Sequence, residues 1–235
     1  MSSTPALPTS FFDPVLSLPP QQRLRWYMCV VVSLSSLNYP DVIPQVYEHL
    51  DTHLFSTLSH DDRFTYARQL REGLIKSTGI VGAARTGNAM RALSRFIPDN
   101  LRETESPRSQ ESDEAARARG KAFWTRIYER NKAFDPQATV RASPDYAFVV
   151  REILYGRVFS FNGVIDDLTT GYVIVSALYG MDCPNQLAHH MKGMLVNGAS
   201  REDLKRLQDL CLGLARTLGV SFRHGPAPIP TSPSE

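Results

Sequence analysis

The densest grouping of reactive side chains in the sequence lies between residues 183 and 190. It contains a thiol, an amide and two imidazoles: Cys183, Gln186, His189 and His190. On a helix, residues four apart face the same way, so the amide of Gln186 can hydrogen-bond to the imidazole of His190 and orient it. An imidazole titrates near neutral pH and therefore suits proton transfer. The spacing predicts an acid/base site at His190.

The other two groups of this stretch are placed less directly. Cys183 precedes His190 by seven residues, on the same helical face but about 10 Å away along the axis. A direct thiolate–imidazolium pair is therefore not expected unless the chain bends. His189 points about 100° around the helix from His190. We retain Cys183 as a candidate catalytic group and His189 as a candidate substrate-binding group, both lining the pocket.

Three helices are predicted to position these side chains. Apolar residues at helical spacing precede a break at 180–184, and Pro184 suits the first turn of a second helix. A turn at Asn197 and Gly198 ends that helix, and Ser200, with acids behind it, caps a third. Two of the helices meet at a polar corner that holds the candidate site.

The same stretch has a counterpart near the N-terminus. A shift of 141 positions aligns nine identical residues, including Gln45 with Gln186 and His49 with His190. Cys183 has no counterpart, because Val42 stands at the equivalent position. The pattern predicts an internal duplication, with one helical unit in each half of the chain.

The second copy resembles the carboxymuconolactone decarboxylase and alkylhydroperoxidase D (AhpD) family, an all-helical superfamily. The residues that carry the resemblance are Gln186, His190, Gly193, Asn197, Gly198, Ala199, Glu202 and Asp203. Cys183 falls at the first cysteine of the peroxidase branch's Cys-x-x-Cys motif, but Gln186 takes the place of the second. The resemblance implies an all-α fold in which tandem AhpD-like units form a pseudo-dimer. It also implies a homo-oligomer, and we expect a dimer or trimer.

Composition along the chain predicts five segments. Residues 1–19 are expected to be a flexible arm, 20–97 the first unit, 98–115 a mobile linker, 116–220 the second unit and 221–235 a loose tail. The linker assignment depends on the near absence of large apolar side chains in 98–115, and the tail on its prolines.

The resemblance leaves the acidic partner of His190 unassigned. The family often has an acid at the start of the helix before the motif, where this chain has Gly171, with Asp167 a turn earlier. Glu152, with Tyr155 one turn further on, precedes the motif region. Two interpretations of Glu152 remain open: the missing carboxylate, or one member of a surface ion pair. Glu152 is a candidate catalytic residue, and Tyr155 and Asp167 are candidate substrate-binding residues.

Composition excludes several classes of protein. The 26 basic and 24 acidic residues are nearly balanced, and no basic stripe indicates nucleic acid. No apolar run reaches the length of a membrane span, and the N-terminus lacks the features of a signal peptide. The last three residues, 233–235, differ from a Ser-Lys-Leu peroxisomal address. A soluble cytoplasmic protein that contacts neither membrane nor nucleic acid is expected.

Three hypotheses on function follow. The first is a cofactor-independent, decarboxylase-like lyase or isomerase, with His190 as acid/base, acting on a small carbonyl, lactone or polyketide-like acid. The second is a thiol-dependent peroxide reductase using Cys183, which lacks a resolving thiol. The third is a non-catalytic helical scaffold. No metal site is expected, because Cys183 with His189 or His190 supplies only two ligands.

Overall fold

The structure, a computed structural model, describes residues 5–234, and within this range the chain folds into helices without any β-strand. This confirms the predicted all-α class. Eight helices form the body of the molecule: α1 (Pro20–Leu37), α2 (Ile43–His53), α3 (His60–Ser94), α4 (Asp113–Tyr128), α5 (Val149–Phe159), α6 (Asp167–Gly180), α7 (Pro184–Val196) and α8 (Arg201–Thr217). Shorter helical turns lie at Thr9–Phe11, Asp13–Leu16, Pro40–Val42, Phe55–Thr57, Asp99–Leu101, Pro107–Gln110, Ala138–Ala142 and Pro144–Phe148.

Local sequence signals set many helix ends. Ser59 and Ser200 cap α3 and α8 by accepting hydrogen bonds from the backbone N–H groups three residues later. The cap of α8 is reciprocal, because the Asp203 carboxylate accepts from the backbone N–H of Ser200. Asn38 ends α1 in the left-handed conformation with φ 64°. The predicted starts of α7 and α8 are therefore found where the local chemistry places them.

Helices α1 and α6 pack against each other at the centre of the core. Their contact surfaces consist of fully buried apolar side chains such as Val32 in α1 and Ala177 in α6. Helix α3, from the N-terminal half of the chain, packs against both α1 and α6. Helix α8, from the C-terminal half, also packs against both. Burial of this apolar surface is the main source of stability.

Two groups of three helices, α1–α3 and α6–α8, follow the predicted repeat. Helices α2 and α7 start at Ile43 and Pro184, and α3 and α8 start at His60 and Arg201, so both pairs of starts are 141 positions apart. In the first group, α1 packs on α3 and also on α8 of the other group; in the second group, α6 packs on α8 and also on α3 of the other group. The two groups can therefore be exchanged without changing this packing scheme. The pseudo-dimer itself stays a prediction. Helix α3 also continues to Ser94 through a kink at Gly82.

The N-terminal segment, which the sequence predicts to be a flexible arm, packs against the core from residue 5 onward. Leu7, Phe12 and Val15 are buried in the core. The Gln45 amide donates to the carbonyl of Pro5 (3.0 Å) and accepts from the backbone N–H of Leu7 (2.9 Å). The first-copy glutamine therefore anchors this segment. Residues 1–4 lie outside the described part of the chain.

Ion pairs attach the segment 98–115 to both units. Glu103 pairs with Arg71 (2.7 Å), and Arg108 forms two hydrogen bonds with the buried carboxylate of Glu72. Glu111 pairs with Arg119 of α4. The segment was expected to be mobile because it lacks apolar side chains, but its charged side chains supply specific partners instead.

The C-terminal segment also packs on the second unit. Ala227 is buried, and its carbonyl accepts a hydrogen bond from the Gln208 amide (2.9 Å). The Asp182 carboxylate accepts from the backbone N–H groups of Arg223 and His224. These contacts attach the segment that the sequence predicts to be a loose tail to the second unit, and the predicted division into segments stays a prediction.

No helix within residues 5–234 combines the length and the apolar character needed to cross a membrane.

Candidate functional site: a buried tyrosine–histidine cluster

His190 lies in α7 with 7% of its surface exposed, inside a cluster of hydroxyl groups. The Tyr128 hydroxyl of α4 lies 3.3 Å from His190 Nε2 and 2.7 Å from the Tyr155 hydroxyl of α5. Three helices thus contribute one polar side chain each to a buried hydrogen-bonded chain. Buried polar groups need such partners, because an unpaired one costs about 1–3 kcal/mol.

Helix α5 has unusual geometry at this cluster. Residues Val149–Phe159 form a π-helix, a conformation that occurs mostly as short bulges, often at functional sites. Its Gly156 lies against Gly120 of α4, where the absence of both side chains lets the two backbones approach closely. This approach brings Tyr155 within hydrogen-bonding distance of Tyr128.

The cluster is uncharged at neutral pH. Burial, and to a lesser extent the neighbouring His189, lowers the pKa of His190 to about 4. Burial raises the pKa of Tyr128 to about 12, partly opposed by its hydrogen bond to Tyr155, and raises the pKa of Tyr155 well above its ordinary value. A neutral imidazole with so low a pKa is a poor proton donor at pH 7, contrary to the role that the sequence predicts for it.

His189 belongs to a second hydrogen-bonded group. Its Nδ1 lies 2.8 Å from the side-chain Nδ2 of Asn131. The side-chain Oδ1 of Asn131 accepts a hydrogen bond from the Lys192 ammonium group at 3.3 Å. Asn131 is buried. Burial and then the charge of Lys192 lower the pKa of His189. His189 therefore contacts an amide instead of lining a substrate pocket with His190.

The structure does not bring Gln186 and Cys183 to the ring of His190. Gln186 is exposed and forms no hydrogen bond with His190 in the part of the chain that the structure describes. Tyr128 takes the predicted place of the amide. The Cys183 thiol precedes α7 and donates to the Met181 carbonyl at 3.4 Å. Burial, followed by Asp182, raises the pKa of Cys183, which disfavours the thiolate that peroxide reduction needs.

The candidate carboxylates form ion pairs elsewhere. Glu152 lies 3.3 Å from Arg117 of α4, and Asp167, at the start of α6, pairs with Arg126. The surface ion pair is therefore the interpretation of Glu152 that the structure supports. Among the candidates, Tyr155 is the one connected to His190, through Tyr128. Tyr128 belongs to the apolar stripe of α4, whose helical spacing predicts a core position, so sequence reasoning did not include it among the site residues.

A surface cleft of about 520 Å³ lies beside this cluster, between α4, α5 and the loop around residue 136. Its lining residues are Arg117, Ala118, Gly120, Lys121, Trp124, Thr125, Pro136, Gln137, Arg151 and Glu152. Three cations and one carboxylate surround an indole ring. Among residues 5–234, no group of three or more His, Cys, Asp or Glu side chains has the arrangement of a metal site.

Fold and site together define an all-helical protein with a buried, neutral tyrosine–histidine cluster and an adjacent basic cleft. No family model matches the chain, and no solved structure matches it significantly. Peroxisomal protein 2 of Schizosaccharomyces pombe is 30% identical over 197 residues, which cover 84% of this chain and 88% of that protein. Peroxisomal protein 2 of Saccharomyces cerevisiae is 23% identical over 263 residues, covering 88% and 93%. The chain belongs to the peroxisomal protein 2 family.

These relatives correct two expectations from the sequence. A decarboxylase-like lyase or isomerase is wrong, because both relatives are named as peroxisomal proteins instead. Cytoplasmic localisation is wrong for the same reason. The resemblance to the carboxymuconolactone decarboxylase and AhpD family stays a prediction.

The low pKa of His190 predicts that acid destabilises the protein. Between about pH 6.5 and pH 4 the unfolded chain binds a proton at residue 190 that the folded chain does not. The free energy of unfolding therefore decreases as the pH is lowered through this window. The difference between the ordinary pKa of 6.5 and about 4 corresponds to about 3 kcal/mol. Urea unfolding at pH 4.5 and 7 should show a clearly smaller loss for His190→Gln than for wild type. The exposed-site control, His60→Gln, should lose as much as wild type; equal losses in all three proteins would contradict this role of burial.

Proposed function

We propose that this protein works in peroxisomes as a binding protein for a small anionic ligand, which occupies the 520 Å³ cleft beside Trp124. The names of the two relatives support the location. The arrangement of charges in the cleft supports the ligand class and is the observation that carries the proposal.

The cleft carries an excess of positive charge. Arg117, Lys121 and Arg151 line it together with one carboxylate, Glu152. Glu152 pairs with Arg117, and Lys121 has no ion-pair partner within the described residues. Fixed cations on a concave surface attract anions and fit carboxylate or phosphate groups.

An aromatic wall complements these cations. The Arg151 guanidinium lies 5.1 Å from the centre of the Trp124 ring, and its Nη2 donates to the Pro136 carbonyl. The arginine is thus held beside the indole, with its position fixed before any ligand binds. The Trp124 ring also lies 5.2 Å from the ring of Tyr128, so the cleft adjoins the buried cluster. A ligand that carries both a planar ring and anionic groups fits this site.

Tryptophan fluorescence tests the ligand class. The chain has two tryptophans, so Trp26→Phe leaves Trp124 as the one reporter. We expect ADP to change its emission saturably, and adenosine, which lacks the phosphates, to bind at least about tenfold more weakly. Equal binding of ADP and adenosine, or no binding of either, would exclude an anion site.

Removal of a positive or a negative charge from the cleft should change the affinity for ADP in opposite directions. In the Trp26→Phe background, Lys121→Gln should weaken ADP binding several-fold, and Glu152→Gln should strengthen it, because each removes one charge from the cleft. Lys132→Gln removes an exposed lysine that does not line the cleft and should leave affinity unchanged. An effect of Lys132→Gln as large as that of Lys121→Gln would mean that net charge, not the cleft, determines binding.

Fluorescence microscopy tests the location. A fluorescent protein fused to either terminus in fission yeast should coincide with a peroxisomal marker in at least one of the two orientations. Diffuse cytosolic fluorescence in both orientations would contradict the proposal.

The proposal extends to kinship and assembly. The repeated starts of α2 and α7, and of α3 and α8, support descent from a duplicated AhpD-like unit. Exposed apolar side chains at Tyr146, Phe148, Val149 and Ile153 offer a surface through which copies of the chain could form the expected dimer or trimer.

A further inference from the structure

We propose a second ligand site where α1, α6 and α8 meet, in which Arg25 binds the carboxylate of a small apolar acid. The site is a cavity of about 270 Å³, near the lower end of the usual range for small-molecule pockets. It is separate from the cleft beside Trp124 and shares none of its lining residues.

The walls of this cavity are mainly apolar. Five large side chains from four segments supply them: Leu18, Trp26, Leu168, Leu207 and Leu210. Their carbon surface would cover the hydrocarbon part of a ligand, and removal of that surface from water supplies the larger share of affinity. The polar groups are confined to Gln22, Arg25, Tyr172, Asp203 and Arg206, with the Cys29 thiol beside them.

Arg25 is the charged side chain of this cavity that lacks a carboxylate partner within residues 5–234. Its guanidinium carbon lies 4.8 Å from the centre of the Tyr172 ring, and within residues 5–234 no carboxylate lies within 4.0 Å of it. Its Nε is buried and has no hydrogen-bond partner in that range. A buried polar atom without a partner needs an explanation, because native structures contain few of them. A carboxylate offers two oxygens that match the guanidinium in a bidentate arrangement.

Asp203, the acidic residue of the cavity, does not form an ion pair with Arg25. The Asp203 carboxylate accepts hydrogen bonds from the backbone N–H of Ser200 (2.9 Å) and from the Ser200 hydroxyl (2.7 Å). Arg206 is paired with Glu202 at 3.2 Å. The charge of Arg25 is therefore available to a ligand, and the other charges of the cavity are already engaged.

The Cys29 thiol does not make this a reactive site. Burial raises the pKa of Cys29 to about 12, opposed by hydrogen bonding to Ser176 and by Arg25. The group stays a neutral thiol and acts as a small apolar wall. The site binds its ligand without covalent chemistry.

The test uses Trp26, which lines the cavity. In Trp124→Phe, Trp26 is the one remaining indole. We expect octanoate to change its emission saturably, and octan-1-ol, which has the same chain without the charge, to bind at least about tenfold more weakly. Equal affinity for the two probes, or no saturable change with octanoate, would overturn the proposal without reference to any Arg25 variant.

Variants then identify the residue. In the same background, Arg25→Gln should weaken octanoate binding at least about tenfold and leave the weak binding of octan-1-ol unchanged. Arg216→Gln is the matched control, because Arg216 is exposed on α8 and does not line the cavity. Circular dichroism verifies that each variant is folded. An Arg25→Gln protein that is folded and binds octanoate as tightly as its parent would assign the carboxylate to another group.

The two sites are tested independently, because each contains one tryptophan. ADP is read out by Trp124 in Trp26→Phe, and octanoate by Trp26 in Trp124→Phe. Failure of the first experiment leaves the Arg25 site standing, and failure of the second leaves the cleft standing.

Discussion

Replacement of Gly120 by alanine is expected to lower the free energy of unfolding by about 3 kcal/mol. A Cβ at this position would lie 2.6 Å from Gly156 Cα and 2.7 Å from Gly156 N. These are backbone atoms of α5 and cannot rotate away as a side chain would. Helices α4 and α5 must therefore separate, and the contact between Tyr128 and Tyr155 is lost with them. Urea denaturation followed by circular dichroism measures the change.

Gly213→Ala is the matched control in α8. The atom nearest to an added Cβ there is Arg216 Nη2, at 3.8 Å. Since alanine favours helix over glycine, this variant should be more stable than wild type by about 0.5–1 kcal/mol. The two substitutions are chemically identical and should have opposite signs. A stabilising effect of Gly120→Ala would show that α4 and α5 do not approach each other this closely.

Replacement of Arg108 by methionine should destabilise the protein by about 3–5 kcal/mol. The Glu72 side chain is 2% exposed, and Arg108 contacts both of its carboxylate oxygens. Removal of the arginine leaves a buried carboxylate without its hydrogen-bonding partner. The charge of Lys76 still interacts with Glu72, but Lys76 donates to the Phe159 carbonyl. Arg108 also donates to the Arg157 carbonyl at 3.0 Å, so α5 loses a contact too.

Two further variants separate burial from charge. Lys205→Met breaks the exposed pair with Asp209 and should change stability by no more than about 0.5 kcal/mol. The double variant Glu72→Met/Arg108→Met removes both charges and should recover more than half of the loss, because apolar pairs commonly replace buried ion pairs without penalty. A loss for Arg108→Met no greater than for Lys205→Met would show that the segment 98–115 is not held by this pair.

Several helix positions could be predicted because their causes are local. Pro184 starts α7, Ser200 with Asp203 starts α8, and the 141-residue spacing reappears in the helix starts. Capping depends on residues within one turn of each other, so the sequence contains all the information needed. The contacts of the terminal segments could not be predicted, because Gln45 and Gln208 anchor them to residues far away in sequence.

The contacts of the candidate site could not be predicted in the same way. Spacing places Gln186 and His190 on one helical face, but it does not determine which side of the ring faces another helix. In the structure His190 Nε2 faces Tyr128, 62 positions earlier, and Gln186 faces solvent. Glu152 likewise lies one turn before Tyr155, yet it pairs with Arg117 at the surface.

The sequence by itself determined the all-α class, the starts of α7 and α8 and the presence of a titratable imidazole at position 190. The tertiary structure alone decided that this imidazole is buried among hydroxyls and remains neutral, because desolvation by three packed helices outweighs its intrinsic basicity. It also decided which cations are left without carboxylate partners, since pairing between charges depends on distances that only the assembled fold sets.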